Sequence, residues 1–454
     1  MILIKNAALI ATFNDQGEEL RGYDLWIEGP RIHKIGRNLT LPRDKAEQAE
    51  IVDASHHLVL PGLVNTHHHL YQTLTRNLPG AQNAKLFDWL VYHYPRWARL
   101  DADAVYWSTL LGMAELLKTG ATTTLDHLYL YPRHLKADLV GLQMEAAEQI
   151  GMRFVASRGS MTRGQSQGGL PPDEVVQTPE EVLEDSVRVI EEYHDPSPLA
   201  MRRVVLAPCS PFSVEEHVMR ETARIARHYG VRLHTHLAET QDEETYCLDT
   251  YGKRPLALME TLDWIGPDVF YAHGIWFNDQ ELRLLAETGT GVAHCPSSNM
   301  RLGSGIARVR EMLDLGVRVA LAVDGSASND TSDMLGEVRN ALLLQRVRYG
   351  PGGLTAREAL KMATRGGADL LGFPDLGTIE EGKGADLILI DLEQLQYTGA
   401  LADPVAAVVF AGYRHEVAYA IVHGRMVVRE GRLTTVDEEE VRRQAHQAAQ
   451  RLWS

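Results

Sequence analysis

Cysteine is scarce: Cys209, Cys247 and Cys295 are the only three in 454 residues, far apart and in no CxxC pair. That excludes a disulfide framework and a thiolate zinc cluster, and it suits a reducing cytoplasm. Positive charge is also in deficit, with 45 Lys and Arg against 61 Asp and Glu, a formal net charge of −16. Nucleic acid and anionic membrane surfaces are therefore not the expected partners. No apolar run approaches the ~18 residues needed to span a bilayer. The segment Met1 to Phe13 opens like a signal peptide, but Lys5 and Asn6 interrupt its apolar run and no small-residue cleavage site follows, so a cytosolic protein is expected. A Walker GKS/T sequence and a GxSxG elbow are missing. The cytidine-deaminase zinc signature is missing too, because Pro208-Cys209 has no second cysteine at the required spacing.

What is present is ordinary globular composition, 44% hydrophobic and 23% charged. At roughly 150 residues per domain the length suits about three domains, or one barrel with a small accessory domain. The two ends read alike. Leu25-Trp26-Ile27 runs through Gly29-Pro30 into Arg31 to Ile35, and Ala418 to Val422 runs through His423-Gly424 into Arg425 to Val428. Each is a hairpin pattern, and neither end holds enough apolar surface for its own core. Residues 1–58 and 372–436 are thus expected to pair into one β-sandwich, followed by a C-terminal helix over 437–454.

The middle, 59–371, alternates strand and helix. Eight apolar runs end in polar or small residues: Leu58 to His69, Ala121 to Leu128, Met152 to Ser160, Val204 to Cys209, Arg232 to Leu237, Val269 to His273, Gly291 to Cys295 and Val317 to Asp324. Helix starts are signalled by Thr178 with Glu181, Ser213 with Glu216 and Thr355 with Glu358, and helix ends by Gly120 and Gly230. Eight such alternations predict an α/β fold, a distorted (β/α)8 TIM barrel carrying the terminal β-sandwich. The Gly-, Pro- and Gln-rich stretch Arg163 to Asp173 is a candidate lid.

Barrels place their chemistry at the carboxyl ends of strands. The first run ends in His67-His68-His69, where alternation puts His67 and His69 on one face and His68 on the other. Two imidazoles so placed can chelate one divalent ion. The fifth run ends His234-Thr235-His236-Leu237-Ala238-Glu239, the sixth in His273 and the eighth in Asp324. Any one of these could be a hydrogen-bonded core histidine or a helix cap. Four strand ends carrying His, His, His and Asp in barrel order point jointly to a metal site.

The motifs PGLVNTHHH, HTHLAET, AHG, HCPSSN, VDGSASND and GTIEEGKGADL, spread in order from residue 61 to 387, resemble the amidohydrolase superfamily, in its cytosine-, guanine- and triazine-aminohydrolase branch. The resemblance implies that His67, His69, His236 and Asp324 bind one divalent metal per chain, zinc first and iron as the alternative. It implies that Glu239 shuttles protons and that His273 contacts the attacking water and the substrate. His234, a layer deeper than His236, is expected to pack in the core, and His294 and Cys295 to be structural; His127 stays open. Two-metal relatives carry a carboxylated lysine at the end of the fourth strand, where Ala207-Pro208-Cys209-Ser210 has none, so one metal is expected. Zinc lowers the pKa of its water to about 7. Asp324 would then accept a proton from that water while Glu239 protonates a ring nitrogen and lets ammonia leave.

Nucleoside-deaminating relatives place a histidine after the fourth strand and a glutamate ahead of the first long helix. Here the two places read Pro208-Cys209-Ser210-Pro211 and Pro95-Arg96-Trp97-Ala98-Arg99. Both departures favour a free base. The lid sequence and the segment from Cys209 to Phe212 are most similar to those of deaminases acting on 8-oxoguanine, with hydroxyatrazine-type aminohydrolases next. Gln72, Arg158 and Cys209 are the expected substrate contacts beside Glu239 and His273. The partners expected are a small heterocyclic substrate and further copies of the chain. A scaffold that has lost its metal is disfavoured, since all four ligand positions and Glu239 are retained.

Overall fold

The computed structural model describes residues 1–453. Eight parallel strands follow one another in chain order around a barrel: β1 (Leu63–Asn65), β2 (Ala121–Asp126), β3 (Arg153–Ser160), β4 (Arg202–Pro208), β5 (Arg232–Leu237), β6 (Val269–His273), β7 (Gly291–His294) and β8 (Val319–Leu321). Residues just past β1 and β8 close the ring, with the Thr66 amide donating to the Leu321 carbonyl and the Asp324 amide to the His67 carbonyl. The Asn65 side chain accepts from the Val323 amide at 2.9 Å across the same seam. Period-two alternation sorts the side chains. Val64, Leu125, Val155, Val205, Phe270, Ala293 and Ala320 share the small cluster inside the barrel, whereas Phe154, Leu206, Leu233 and Val292 join the larger core under the helices.

The run from Leu58 to His69 is two strands rather than one. His57–Pro61 pairs antiparallel with Leu387–Asp391 in the terminal sheets, and only Leu63–Asn65 enters the barrel. Gly62 makes the crossing possible: a Cβ there would lie 2.1 Å from the Thr122 hydroxyl. Both expected hairpins are present, Tyr23–Glu28 with Arg31–Gly36 and Tyr419–Val422 with Arg425–Arg429. They lie in two different sheets, of four and seven strands, and Ile4, Leu25, Ile27, Val59, Leu387, Leu389 and Ile421 fill one core between them.

Helix starts follow the sequence at two of three places. Thr178 with Glu181 and Thr355 with Glu358 form capping boxes. Ser213 does not cap: its hydroxyl bonds Ser210 at 2.6 Å, and Glu215 precedes the next helix instead. The final helix, Glu438–Trp453, lies on the helix Ala102–Lys118, and the Trp453 indole donates to the Leu74 carbonyl in the turn that follows the β1 histidines. Among the described residues no helix is long and apolar enough to cross a membrane.

Candidate metal centre and active site

His67, His69, His236 and Asp324 come together at the carboxyl end of the barrel, the first two and Asp324 buried and His236 partly so. Three hydrogen bonds fix the tautomers, because a carbonyl oxygen can only accept. His69 Nδ1 donates to the His127 carbonyl at 2.7 Å and His236 Nδ1 to the Cys209 carbonyl at 2.7 Å. His234 Nδ1 donates to the Phe270 carbonyl at 3.0 Å, which leaves its Nε2 bare to accept from His67 Nδ1 at 2.7 Å. All three Nε2 atoms therefore present lone pairs. They converge: His69 Nε2 lies 3.1 Å from His236 Nε2, and Asp324 Oδ1 lies 3.3 Å from both His67 Nε2 and His69 Nε2.

Lone pairs packed this closely repel one another unless a cation sits among them. Ligands about 2.0–2.1 Å from a tetrahedral zinc stand about 3.3 Å apart, so the spacing and the donor set both suit one divalent ion. Burial holds His67, His69 and His236 below the usual histidine range, keeping them neutral and ready to ligate. Burial would raise Asp324, yet the imidazoles of His67, His273 and His69 around it hold it well below the carboxylate range.

Glu239 and His273 face this cluster. His273 Nδ1 donates to Asn299 Oδ1 at 2.9 Å, and its Nε2 lies 3.6 Å from Glu239 Oε2 and 3.9 Å from Asp324 Oδ2. Burial opposes a charge on His273, but Glu239 and Asp324 raise it above the ordinary value. Burial pushes the Glu239 carboxyl up to about 7. Three of the residues that aim the site have left-handed backbones, Ala238 (φ 54°), His273 (φ 73°) and Asp324 (φ 65°), a strain that a packed site sustains. Asp324 is further tied by the Gly325 amide at 2.7 Å and the Ser328 hydroxyl at 3.1 Å.

A cavity opens onto His69, His236, Glu239, His273 and Asp324. Gln72 and Cys209 line it, and the buried Gln72 Oε1 has no hydrogen-bond partner among the described residues. Gly325 leaves room for that amide, since a Cβ there would stand 2.0 Å from Gln72 Oε1. Arg158 is elsewhere. It shares strand parity with Phe154 and Ala156, so its guanidinium points to the outer helix layer, pairing with Asp185 and Gln177 and lying over the Tyr131 ring. As a substrate contact Arg158 is corrected: its charge is spent outside the barrel.

The roof is also not where the sequence put it. Arg163 to Asp173 contributes nothing to the cavity wall; Arg163 instead binds the hydroxyls of Tyr246 and Tyr251. Leu86, Leu90 and Tyr94 from the helix Leu86–Trp97 cover the site together with Trp89, whose indole donates to Ala327 beside the Asp324 loop. Their i, i+3, i+4, i+8 spacing was the available signal. His234, expected in the core, touches His67 directly. His127 supports from two sides, its carbonyl holding His69 and its ring stacked on His236 at 4.8 Å. Asn299, the last residue of HCPSSN, had no role predicted for it, and Glu243 lies outside every quoted motif.

Comparison with known proteins places the chain in a family. The amidohydrolase family model matches residues 58–427. The chain is 47% identical over 398 residues to an 8-oxoguanine deaminase of Pseudomonas aeruginosa, covering 88% of each chain. It is 38% identical to a hydroxydechloroatrazine ethylaminohydrolase of a Pseudomonas species, covering 96% of this chain and 92% of that one. The crystal structure of an atrazine chlorohydrolase from Arthrobacter aurescens complexed with zinc superposes with a TM-score of 0.94 at 32% identity, over 99% of this chain and 100% of that one. With the family model spanning the whole barrel, the chain belongs to the amidohydrolase family and is a hydrolase of carbon–nitrogen bonds.

Proposed function

We propose that the protein deaminates a free oxopurine base, 8-oxoguanine, to urate and ammonia, with His67, His69, His236 and Asp324 holding one zinc or, alternatively, iron. The observation that carries the reading is the placement of Glu239, His273 and Asp324 around one point at the floor of an apolar, aromatic cavity. A divalent cation held by the cluster supplies Lewis-acid activation of water.

The remaining steps belong to the chain. Asp324 takes one proton of the attacking water as its oxygen bonds to C2, and Glu239, with a carboxyl near 7, gives its proton to an adjacent ring nitrogen. His273, oriented by Asn299, steadies the oxygen on the tetrahedral carbon. The C–N bond then breaks as the proton on Asp324 passes to the leaving amino group, ammonia departs, and Glu239 recovers the second water proton as the new carbonyl forms. One water is consumed, and both carboxyl groups return to their starting states.

Support for an oxidised purine is local. Leu86, Trp89, Leu90, Phe212 and Leu302 suit a flat ring, and none of these walls offers a carboxylate to ribose hydroxyls. Gln72 Oε1 needs an N–H donor, which ring nitrogens of an oxopurine present. Cys209, a buried thiol pushed up to about 12, is small and neutral where a bulkier ring would narrow the cavity. The same apolar roof favours a second reading, an N-alkylated hydroxytriazine. Ammonia release from 8-oxoguanine, guanine and isocytosine, and amine release from hydroxyatrazine, compared by kcat/KM, tests both. Preference for 8-oxoguanine supports the assignment, and preference for hydroxyatrazine or for guanine overturns it.

A further inference from the structure

Three helices of this protein begin with a reciprocal cap in which a glutamate three residues into the helix accepts from the N-cap amide: Glu181 from Thr178 at 2.8 Å, Glu281 from Asn278 at 2.8 Å and Glu358 from Thr355 at 2.9 Å. The helix Gln241–Tyr251 has the same spacing, Thr240 and Glu243, and keeps half of the motif, the Glu243 amide donating to the Thr240 hydroxyl at 3.4 Å. Its carboxylate goes elsewhere. It passes over the N-cap amide and accepts from the two amides before it, Ala238 at 3.0 Å to Oε1 and Glu239 at 2.9 Å to Oε2.

That departure has a location. Ala238 carries one of the left-handed backbones of the site (φ 54°), and its turn sends Glu239 off the line of β5 and into the cavity. A non-glycine residue holds such a conformation only where its surroundings impose it. The other side of the same segment is fixed as well: the Ala238 carbonyl accepts from Ile275 at 2.9 Å and Trp276 at 3.0 Å, in the loop directly after His273. Glu243 is 1% exposed and lines no part of the cavity, so it does not touch substrate.

We infer that Glu243 is a positioning residue for the reaction, its carboxylate clamping the Ala238 and Glu239 amides so that the Glu239 carboxyl stays opposite His273. The inference rests on the reading of Glu239 as the proton carrier. Loss of the clamp frees the left-handed turn and lets the Glu239 side chain swing from its partner, and a misplacement of about 1 Å can cost about 100-fold in rate. Glutamine at 243 turns one of the two acceptors into a donor facing an amide. Aspartate keeps the carboxyl group but, one methylene shorter, reaches one amide at most.

The test uses the metal-loaded enzyme and four variants: Glu239→Gln, Glu243→Gln, Glu243→Asp and the Glu239→Gln/Glu243→Gln double variant. Metal content and melting temperature are measured beside kcat and KM for the best substrate of the base panel. Glu243→Gln and Glu243→Asp are expected to lose about 10- to 100-fold in kcat with KM and bound metal unchanged. In the Glu239→Gln background the second substitution is expected to change kcat by less than about 3-fold, because residues that act as one unit are not additive. An unchanged kcat in both Glu243 variants, or losses that multiply in the double variant, overturns the inference and leaves the proposed function intact. A Glu239→Gln enzyme with normal kcat removes the proton carrier itself, a separate result that takes both down.

Discussion

Asp324 meets His67 twice: its amide donates to the His67 carbonyl at 3.1 Å, and its carboxylate lies 3.3 Å from the His67 ring. The backbone contact belongs to the seam that closes the barrel, where the residues after β8 meet those after β1. Closing the barrel therefore also assembles the proposed metal site, bringing the first and last strands, far apart in sequence, together at His67 and Asp324.

Metal content and activity should accordingly fall together. His69→Ala and Asp324→Ala are expected to carry well under one ion per chain by elemental analysis and to release no ammonia, while the parent enzyme carries about one. The melting temperature of the parent should drop on treatment with a strong chelator, since an ion bound only to the folded state stabilises it. Full activity of a metal-free preparation would falsify the metal assignment.

His234 is expected to matter without touching the ion. Its Nε2 accepts the His67 Nδ1 proton and so keeps the His67 lone pair on Nε2, the nitrogen proposed to ligate. His234→Phe preserves the bulk that stacks on Phe270 at 4.3 Å but removes the acceptor. Outer partners of this kind are worth about 10- to 100-fold in metal affinity, read by competition with a fluorescent chelator. An affinity equal to that of the parent would return His234 to a packing role.

How much of this was legible beforehand depends on how each signal is written. The barrel and the cluster of His67, His69, His236 and Asp324 at its strand ends could be read because strand ends are marked by period-two runs followed by His or Asp, and hairpins by turns flanked by alternating residues. Gly62 hid the split of the first run, since a close approach to Thr122 leaves no trace in hydrophobic pattern. Arg158 misled because position at a strand end was read without parity: Val155 on the inner face fixes 158 on the outer one. The Leu86–Trp97 roof was passed over because polar Gly-rich segments suggest lids, whereas an amphipathic helix suggests only a core. Glu243 was hidden by a motif it imitates.

Glu337 offers a pH signature. It is buried in the first turn of the helix Met334–Tyr349, accepts from the Ser297 amide at 3.1 Å and is pushed up to about 8 by burial. A carboxyl with a folded-state pKa above its unfolded value of 4.5 favours folding in its protonated form. Its contribution is complete below pH 4.5 and is lost as pH rises through about 8. Glu337→Gln keeps the shape and cannot ionise, so its melting temperature relative to the parent should rise steadily from pH 5 to pH 8.5. A difference that stays flat across that range would mean that Glu337 ionises freely in the folded protein.

The contrast between Gln72 and Arg158 gives the final prediction. Gln72 lines the cavity and its buried Oε1 has no partner among the described residues, while Arg158 holds Asp185 and Gln177 on the far side of the β3 wall. Gln72→Met keeps the length and the bulk but offers no comparable acceptor. A site that hydrogen-bonds a substrate N–H discriminates through that bond, and its loss leaves a buried donor on the substrate unpaired, costing about 1–3 kcal/mol or roughly 5- to 150-fold in kcat/KM. The loss should be larger for 8-oxoguanine than for a substrate without a donor at that edge, so the ratio between the two is the quantity to measure. Arg158→Met should leave that ratio within about twofold, because a group outside the pocket cannot tell two bound substrates apart, and its effect should appear in melting temperature instead. A selectivity change in Arg158→Met with none in Gln72→Met would show that the polar contact reaches the ring from the β3 side and that the orientation of Gln72 is incidental.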